Sequence, residues 1–282
     1  MSHLRLKPKA ETGHIQHICK NDARNKHNCP NWSYVGFDVF RLEPGKTLNT
    51  ADTQDTEMLL VIITGKMKVT AGGQDLGEVG GRMDVFSKEK AHAVYVPSGS
   101  SWAIEATTDL ELALCSAPGK GNYPVRVISP DPSPMEERGK GANTRFVNAF
   151  MMEDQDFADS LLVTEVWTPN GNWSSYPSHK HDQDNFPDET YLEETYYHRI
   201  NPGTGFGVQR VYNDDLSLDE TIAVYDCDLV LVPEGYHPCS ALYGHDMYYL
   251  NVMAGPMRKW RFTNAPEHER LFRRDGGKKP GE

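Results

Sequence analysis

Between Trp32 and Phe262 the chain never sustains the apolar spacing of an amphipathic helix. Its apolar residues come in short runs, each stopped by glycine, proline, asparagine or aspartate. Residues 33–42 (SYVGFDVFRL) stop at Pro44-Gly45, residues 57–63 (EMLLVII) at Thr64-Gly65, and residues 93–96 at Pro97-Ser98-Gly99. Residues 66–70, 102–106 and 110–117 complete a first set. A second set follows at 144–150, 161–167, 194–200, 206–212, 220–224, 228–232, 245–252 and 258–262. Short runs punctuated in this way predict an all-β fold, either sandwich or barrel. Two elements also recur in the same order. A Glu-headed strand running into a glycine turn appears at 57–65 and 194–203. Val96-Pro97-Ser98-Gly99 is matched by Val232-Pro233-Glu234-Gly235. That repetition predicts a duplicated β-domain: an arm over 1–30, domains over 31–117 and 142–265, a proline-containing linker over 118–141, and a charged tail over 266–282.

At 282 residues the chain is long enough to bury one large core or two smaller ones. Its net charge of −11, with no compensating basic patch, argues against nucleic acid or a membrane surface as partner. Five cysteines without a close pair predict reduced thiols and a cytoplasmic location. The first thirty residues lack the apolar stretch of a signal peptide.

Candidate chemistry concentrates in residues 174–198, SSYPSHKHDQDNFPDETYLEETYYH. His179 and His181 lie two apart, so an extended backbone would aim both imidazoles to one side. The acidic pair Glu193–Glu194 opens the next strand, and one of its carboxylates can meet them. Two imidazoles and a carboxylate suit zinc, iron, manganese or nickel and leave coordination positions open.

These elements resemble the cupin family, whose first motif supplies two histidines and a glutamate and whose second supplies a fourth ligand after a strand–Pro–x–Gly turn. Here the second motif is Pro233-Glu234-Gly235-Tyr236-His237, with His245 as the competing fourth ligand. The runs SHKHD, EETYYH, FGVQRVY and VPEGYHP are similar to those of bicupin isomerases of myo-inositol catabolism. The resemblance implies two tandem jelly-roll barrels. It also implies a metal held by His179, His181, Glu194 and His237, with zinc first among the candidates. Glu194 is preferred to Glu193 on the family pattern, and strand parity then groups Glu194, Tyr196 and His198 on one face. The N-terminal half reads NTADTQDT over 49–56, without histidine, and places Ser101 where its sister has His237. One metal per chain, in the C-terminal domain, is therefore expected.

The implied reaction is an aldose–ketose isomerisation between 5-deoxy-D-glucuronate and 5-dehydro-2-deoxy-D-gluconate, through an enediolate stabilised by the metal. Tyr196, His198 and Glu193 are the candidates for proton transfer or substrate hydrogen bonding. The substrate carboxylate needs a cation, and Arg210, then Lys180, are the candidates. A metal-dependent dioxygenase or a non-catalytic sugar-binding bicupin are the competing readings, and a homo-oligomer is expected.

Overall fold

The computed structural model describes residues 2–8, 14–18 and 32–277, with the side chains of 14–18 left aside. Most of the expected N-terminal arm, with Cys19 and Cys29, lies outside the described residues. The chain forms two compact units. One comprises Pro8–Ser133 with Asp154–Leu162, and the other Met1–Lys7, Pro134–Glu153 and Val163–Glu282. They are called here the N-terminal and C-terminal units. Residues 118–141 carry two short strands, Arg126–Ile128 in the first unit and Glu136–Arg138 in the second.

The N-terminal unit holds a six-stranded sheet in the order Arg126–Ile128, Ala93–Val96, Thr56–Thr64, Leu110–Pro118, Gly36–Leu42, His14–Ile18. Its second sheet runs Thr47–Thr50, Trp102–Ala106, Lys66–Ala71, Gln74–Gly80. Alternation along Lys66–Ala71 is regular: Met67, Val69 and Ala71 are buried while Lys68 and Thr70 face solvent. The core lies between the sheets. Leu60, Ile62, Val94 and Leu112 from one meet Met67, Val69, Trp102 and Ile104 from the other.

The C-terminal unit repeats the plan. Its seven-stranded sheet runs Arg5–Leu6, Leu229–Val232, Glu193–Asn201, Asp246–Ala254, Leu162–Thr168, Arg145–Met151, Glu136–Arg138. Facing it is a four-stranded sheet, Trp173–Ser174, Cys239–Ala241, Gly207–Tyr212, Asp219–Val224, and a two-stranded ribbon joins His179–Lys180 to Thr263–Asn264. Tyr196, Val230, Met247 and Tyr249 pack against Val211, Ile222, Val224 and Cys239 across the interior. In both units the Glu-headed strand lies between the strand that ends in Val-Pro-x-Gly and a nine-residue antiparallel partner.

The all-β expectation holds, but the two closed jelly-roll barrels do not. Among the described residues no sheet bonds its first strand to its last, and every sheet ends in two edges. Each unit is a pair of open sheets packed face to face. Closure needs unbroken ladders around the circumference, whereas edge strands here are as short as the two residues Arg5–Leu6 and the charged trio Glu136–Arg138. Charge and brevity are how open sheets protect their edges. No helix of the described residues is long and apolar enough to cross a membrane.

Candidate metal centre

The centre is built where three elements of the C-terminal unit meet. The ribbon strand His179–Lys180 pairs with Thr263–Asn264, and this fixes His179 beside Phe262, with ring centroids 4.9 Å apart. Alternation sends Lys180 the other way, its Nζ 2.6 Å from Asp214 and 3.3 Å from Asp182. His181 is tied to the start of the next strand from both ends: Leu192 N donates to its carbonyl at 2.9 Å, and its Nδ1 donates to the Leu192 carbonyl at 3.1 Å. The loop between, with its long gap to the glutamates, is folded on itself. The Glu189 carboxylate accepts from the Asp182 and Gln183 amides at 2.9 Å each.

His237 arrives from the turn after Leu229–Val232. Gly235 has φ +84° and its amide donates to Asp182 at 2.9 Å. A Cβ there would be driven into the Tyr212 carbonyl, so only glycine can make the turn that aims the histidine. Glu194 comes from the central strand Glu193–Asn201, in register with Val232 and Met253. Asn251, on the neighbouring strand, donates its side-chain amide to Glu194 Oε1 and turns Oε2 toward the histidines.

One ring nitrogen from each of His179, His181 and His237 lies within 4.8 Å of the other two. Each has its Nδ1 directed to a backbone carbonyl: Pro177 at 3.3 Å, Leu192 at 3.1 Å, Gly235 at 2.8 Å. Carbonyls can only accept, so these contacts place a proton on each Nδ1 and turn each Nε2 inward, where His181 Nε2 donates to Glu194 Oε2. Glu194 Oε2 lies 3.1 Å from His181 Nε2 and 2.9 Å from His237 Nε2. The second contact is close but not aligned as a hydrogen bond, and His237 Nε2 is a buried polar atom without a hydrogen-bond partner. One nitrogen from each of three imidazoles is thus clustered, with the Glu194 carboxylate against two of them. The donor set fits a divalent transition metal.

The electrostatics agree. Burial, then the charges of His237 and His181, hold His179 well below the ordinary imidazole value. Burial works against ionised Glu194, yet His237 and His181 outweigh it and keep its carboxyl well below the usual range. For His181 burial is likewise the largest influence, but the Glu194 charge reverses it and raises the imidazole.

The ligands open on a small cavity of about 60 Å³, which His179 and Glu194 line together with Arg138, Arg145, Ser175, Tyr196, Tyr249, Asn251 and Trp260. The Tyr196 hydroxyl lies 2.8 Å from Ser175 Oγ, and the Tyr249 hydroxyl 2.7 Å from Ser174 Oγ. Burial, then the nearby Glu194 charge, raises Tyr196 well above the ordinary phenol value. Its proton is therefore retained at neutral pH.

The remaining expected residues lie elsewhere. Glu193 is buried on the opposite face of its strand from Glu194. Arg210 is on the outer face of Gly207–Tyr212, where its guanidinium binds Asp219 at 2.7 and 3.0 Å and covers the Tyr212 ring. Its neighbour Gln209 points inward instead. His245 does not belong to the histidine cluster. His198 shares the Glu194 face but sits deeper, its Nε2 donating to Gln209 Oε1 at 2.9 Å. Burial lowers its pKa to about 4.

A folded pKa depressed from about 6.5 to about 4 makes His198 a source of acid sensitivity. The stability it contributes is present above pH 6.5 and is lost as the pH falls through 4, about 3 kcal/mol over that window. His198→Gln should flatten the fall of denaturant midpoint between pH 6.5 and 4. A slope equal to that of the wild type would show that His198 is not the group responsible.

The sister position in the N-terminal unit is filled differently. Met58 lies opposite Val96 as Glu194 lies opposite Val232, so the ligand register is taken by a thioether. The Trp102 indole donates to its sulfur at 3.3 Å. Glu57, one residue earlier, turns to the other face. There it accepts from the amides of Asp159, Ser160 and Leu161 and from the Tyr95 hydroxyl, all at 2.7 Å.

Comparison with known proteins places these features in context. The model of the KduI/IolB family matches residues 4–271. A 5-deoxy-glucuronate isomerase of Geobacillus kaustophilus is 56% identical over 84% of this chain and 86% of its own length. The protein of that name from Bacillus subtilis strain 168 is 41% identical over 97% of this chain and its full length. Among solved structures, an IolB-like protein of Salmonella typhimurium LT2 superposes with a TM-score of 0.90 at 48% identity, covering 96% of this chain and 99% of the other. Oxalate decarboxylase of Bacillus subtilis, at 14% identity and a TM-score of 0.61 over 99% and 85% of the two chains, shares the fold alone.

Proposed function

The chain belongs to the KduI/IolB family, and from that premise we propose that it is the isomerase its relatives are named for. It acts on 5-deoxy-glucuronate in sugar catabolism, and we assign 5-dehydro-2-deoxy-D-gluconate as the product. The observation that carries this reading is the cluster of three imidazoles, with the Glu194 carboxylate against two of them, beside a cavity lined by two protonated tyrosines.

His179, His181, His237 and Glu194 would hold one divalent ion, zinc by preference because the set is rich in imidazole. When bound, the ion supplies Lewis-acid polarisation of the sugar carbonyl. The chain's own groups do the rest. Asn251 holds Glu194 in the orientation the ligand set requires. Tyr196 keeps its proton and offers it as a hydrogen bond to the oxygen that gains charge, its hydroxyl oriented by Ser175. Tyr249 and Ser174 form a second hydroxyl pair on the same wall. His198 remains neutral behind Tyr196 and supports its ring, the two lying nearly parallel with centroids 6.0 Å apart. Met152 and Met253 line the same cavity and can shift to admit a six-carbon acid. The buried cysteines Cys115, Cys227 and Cys239, none of them in a disulfide, support a reducing, cytoplasmic setting.

The test is conversion of 5-deoxy-glucuronate by zinc-loaded protein, followed by NMR. The reading expects the aldehyde-derived resonances to give way to those of a ketone without any oxidant or cofactor. An unchanged spectrum with zinc and with manganese would remove it. Arg210→Ala should leave KM unchanged, because Arg210 pairs with Asp219 and does not line the cavity.

A further inference from the structure

Two arginines face each other at the edge of the C-terminal unit's large sheet. Arg138 lies directly opposite Arg145 in the register of Glu136–Arg138 with Arg145–Met151, and both line the cavity of the metal ligands. Like charges directly opposed on neighbouring strands are destabilising. Arg138 has one carboxylate partner, the exposed Glu136 at 2.7 Å. Arg145 has no carboxylate within ion-pair distance among the described residues: its Nη1 donates to the Asn143 carbonyl at 3.0 Å, and the Glu136 charge acts on it from farther away. Burial, the largest cause, pulls its pKa below the ordinary guanidinium value. A third donor is close by. The Trp260 indole lines the same cavity, its ring centroid 5.8 Å from the Arg138 guanidinium carbon, and its buried Nε1–H has no hydrogen-bond partner.

Opposed cations and an orphaned N–H thus line one small cavity. We infer that Arg145, supported by Arg138 and the Trp260 indole, is the subsite for the carboxylate of the sugar acid, on the wall of the cavity that the metal ligands His179 and Glu194 also line. The inference deepens the isomerase reading and rests on it for the identity of the acid. The guanidinium fork suits a carboxylate through two parallel hydrogen bonds. The acid's charge relieves the repulsion that the empty pair tolerates, which makes Arg145 a determinant of specificity for acids over neutral sugars.

The experiment compares wild type with Arg145→Gln, Arg145→Lys and Trp260→Phe, all loaded with zinc. Arg145→Gln is expected to raise KM for 5-deoxy-glucuronate about a hundredfold, equivalent to about 2.8 kcal/mol, with kcat changed far less. Arg145→Lys should fall between, and Trp260→Phe should raise KM by a smaller factor. KM for the corresponding 5-deoxy aldose bearing a primary alcohol should not move. Arg145→Gln should melt no lower than wild type, because it removes one of two opposed cations. Unchanged KM for the uronate, or a melting temperature several degrees lower, would overturn the proposal. Calorimetric titration with gluconate, which carries no aldehyde, and with neutral glucitol separates this from the reaction itself. Preference for gluconate in wild type and its loss in Arg145→Gln would uphold the subsite even if no isomerisation were found. Equal gluconate binding by the two proteins would overturn it.

Discussion

Replacing His237 with alanine is expected to empty the centre of metal and to lower kcat/KM by about a thousandfold or more. The estimate follows from the several kcal/mol that a Lewis acid contributes to stabilising developing charge, at 1.36 kcal/mol per tenfold. His237 is the sharpest choice because its Nε2 is buried, 2.9 Å from Glu194 and outside any hydrogen bond. No protein group can take its place. Its loss also leaves Glu194 facing His181 alone. Metal content by elemental analysis and turnover on the uronate, measured on one preparation, check the two effects together. Asn251→Ala should produce a milder version. It leaves all four donors in place but frees the Glu194 carboxylate to rotate, and losses of about 10–100-fold in metal affinity are usual for such supporting residues. A His237→Ala protein that retained full metal and rate would mean that the histidine cluster is not the reactive centre.

The second large effect lies in the other unit and concerns stability alone. Glu57→Ala removes the acceptor for three backbone N–H groups and a phenol at once. Leaving buried donors unsatisfied costs about 1–3 kcal/mol each, so a net loss of about 4 kcal/mol is expected even if water reaches some of them. At roughly 2–4 °C per kcal/mol this amounts to about 10 °C in Tm. Metal content should be unaffected, because the ligand register in this unit belongs to Met58. Calorimetry of the variant beside the wild type, with metal analysis, measures both. A Glu57→Ala protein of undiminished stability would show that the four contacts are not maintained in solution. One that had lost metal would show that the carboxylate serves a ligand role.

Much of the centre could be read from residue spacing. His179-x-His181 shares a face because it is extended, and Val232-Pro233-Glu234-Gly235 announces the turn that delivers His237. What escaped has physical reasons. Short alternating strands look the same in an open sandwich and a closed barrel, since the difference lies in whether distant edges bond. Residues 206–212 (FGVQRVY) are apolar on both parities, so nothing local says that Gln209 faces the core and Arg210 faces Asp219. The pair Arg138 and Arg145 and the pair Asn251 and Trp260 come from segments far apart in the chain. Only the register between Glu136–Arg138 and Arg145–Met151 brings the two arginines into opposition. The shared Glu-headed strands were legible, but not the one-residue shift that puts Met58 in the ligand register and turns Glu57 to the opposite face.

The central claim is that a single ion held by His179, His181, Glu194 and His237 is required for isomerisation of the uronate. The most direct measurement strips purified protein with a chelator, confirms its metal content, and follows 5-deoxy-glucuronate by NMR before and after stoichiometric zinc is restored. The account predicts one ion per chain, negligible conversion without it, and recovery as the ratio of zinc to chain approaches one. Undiminished conversion by metal-free protein would contradict it.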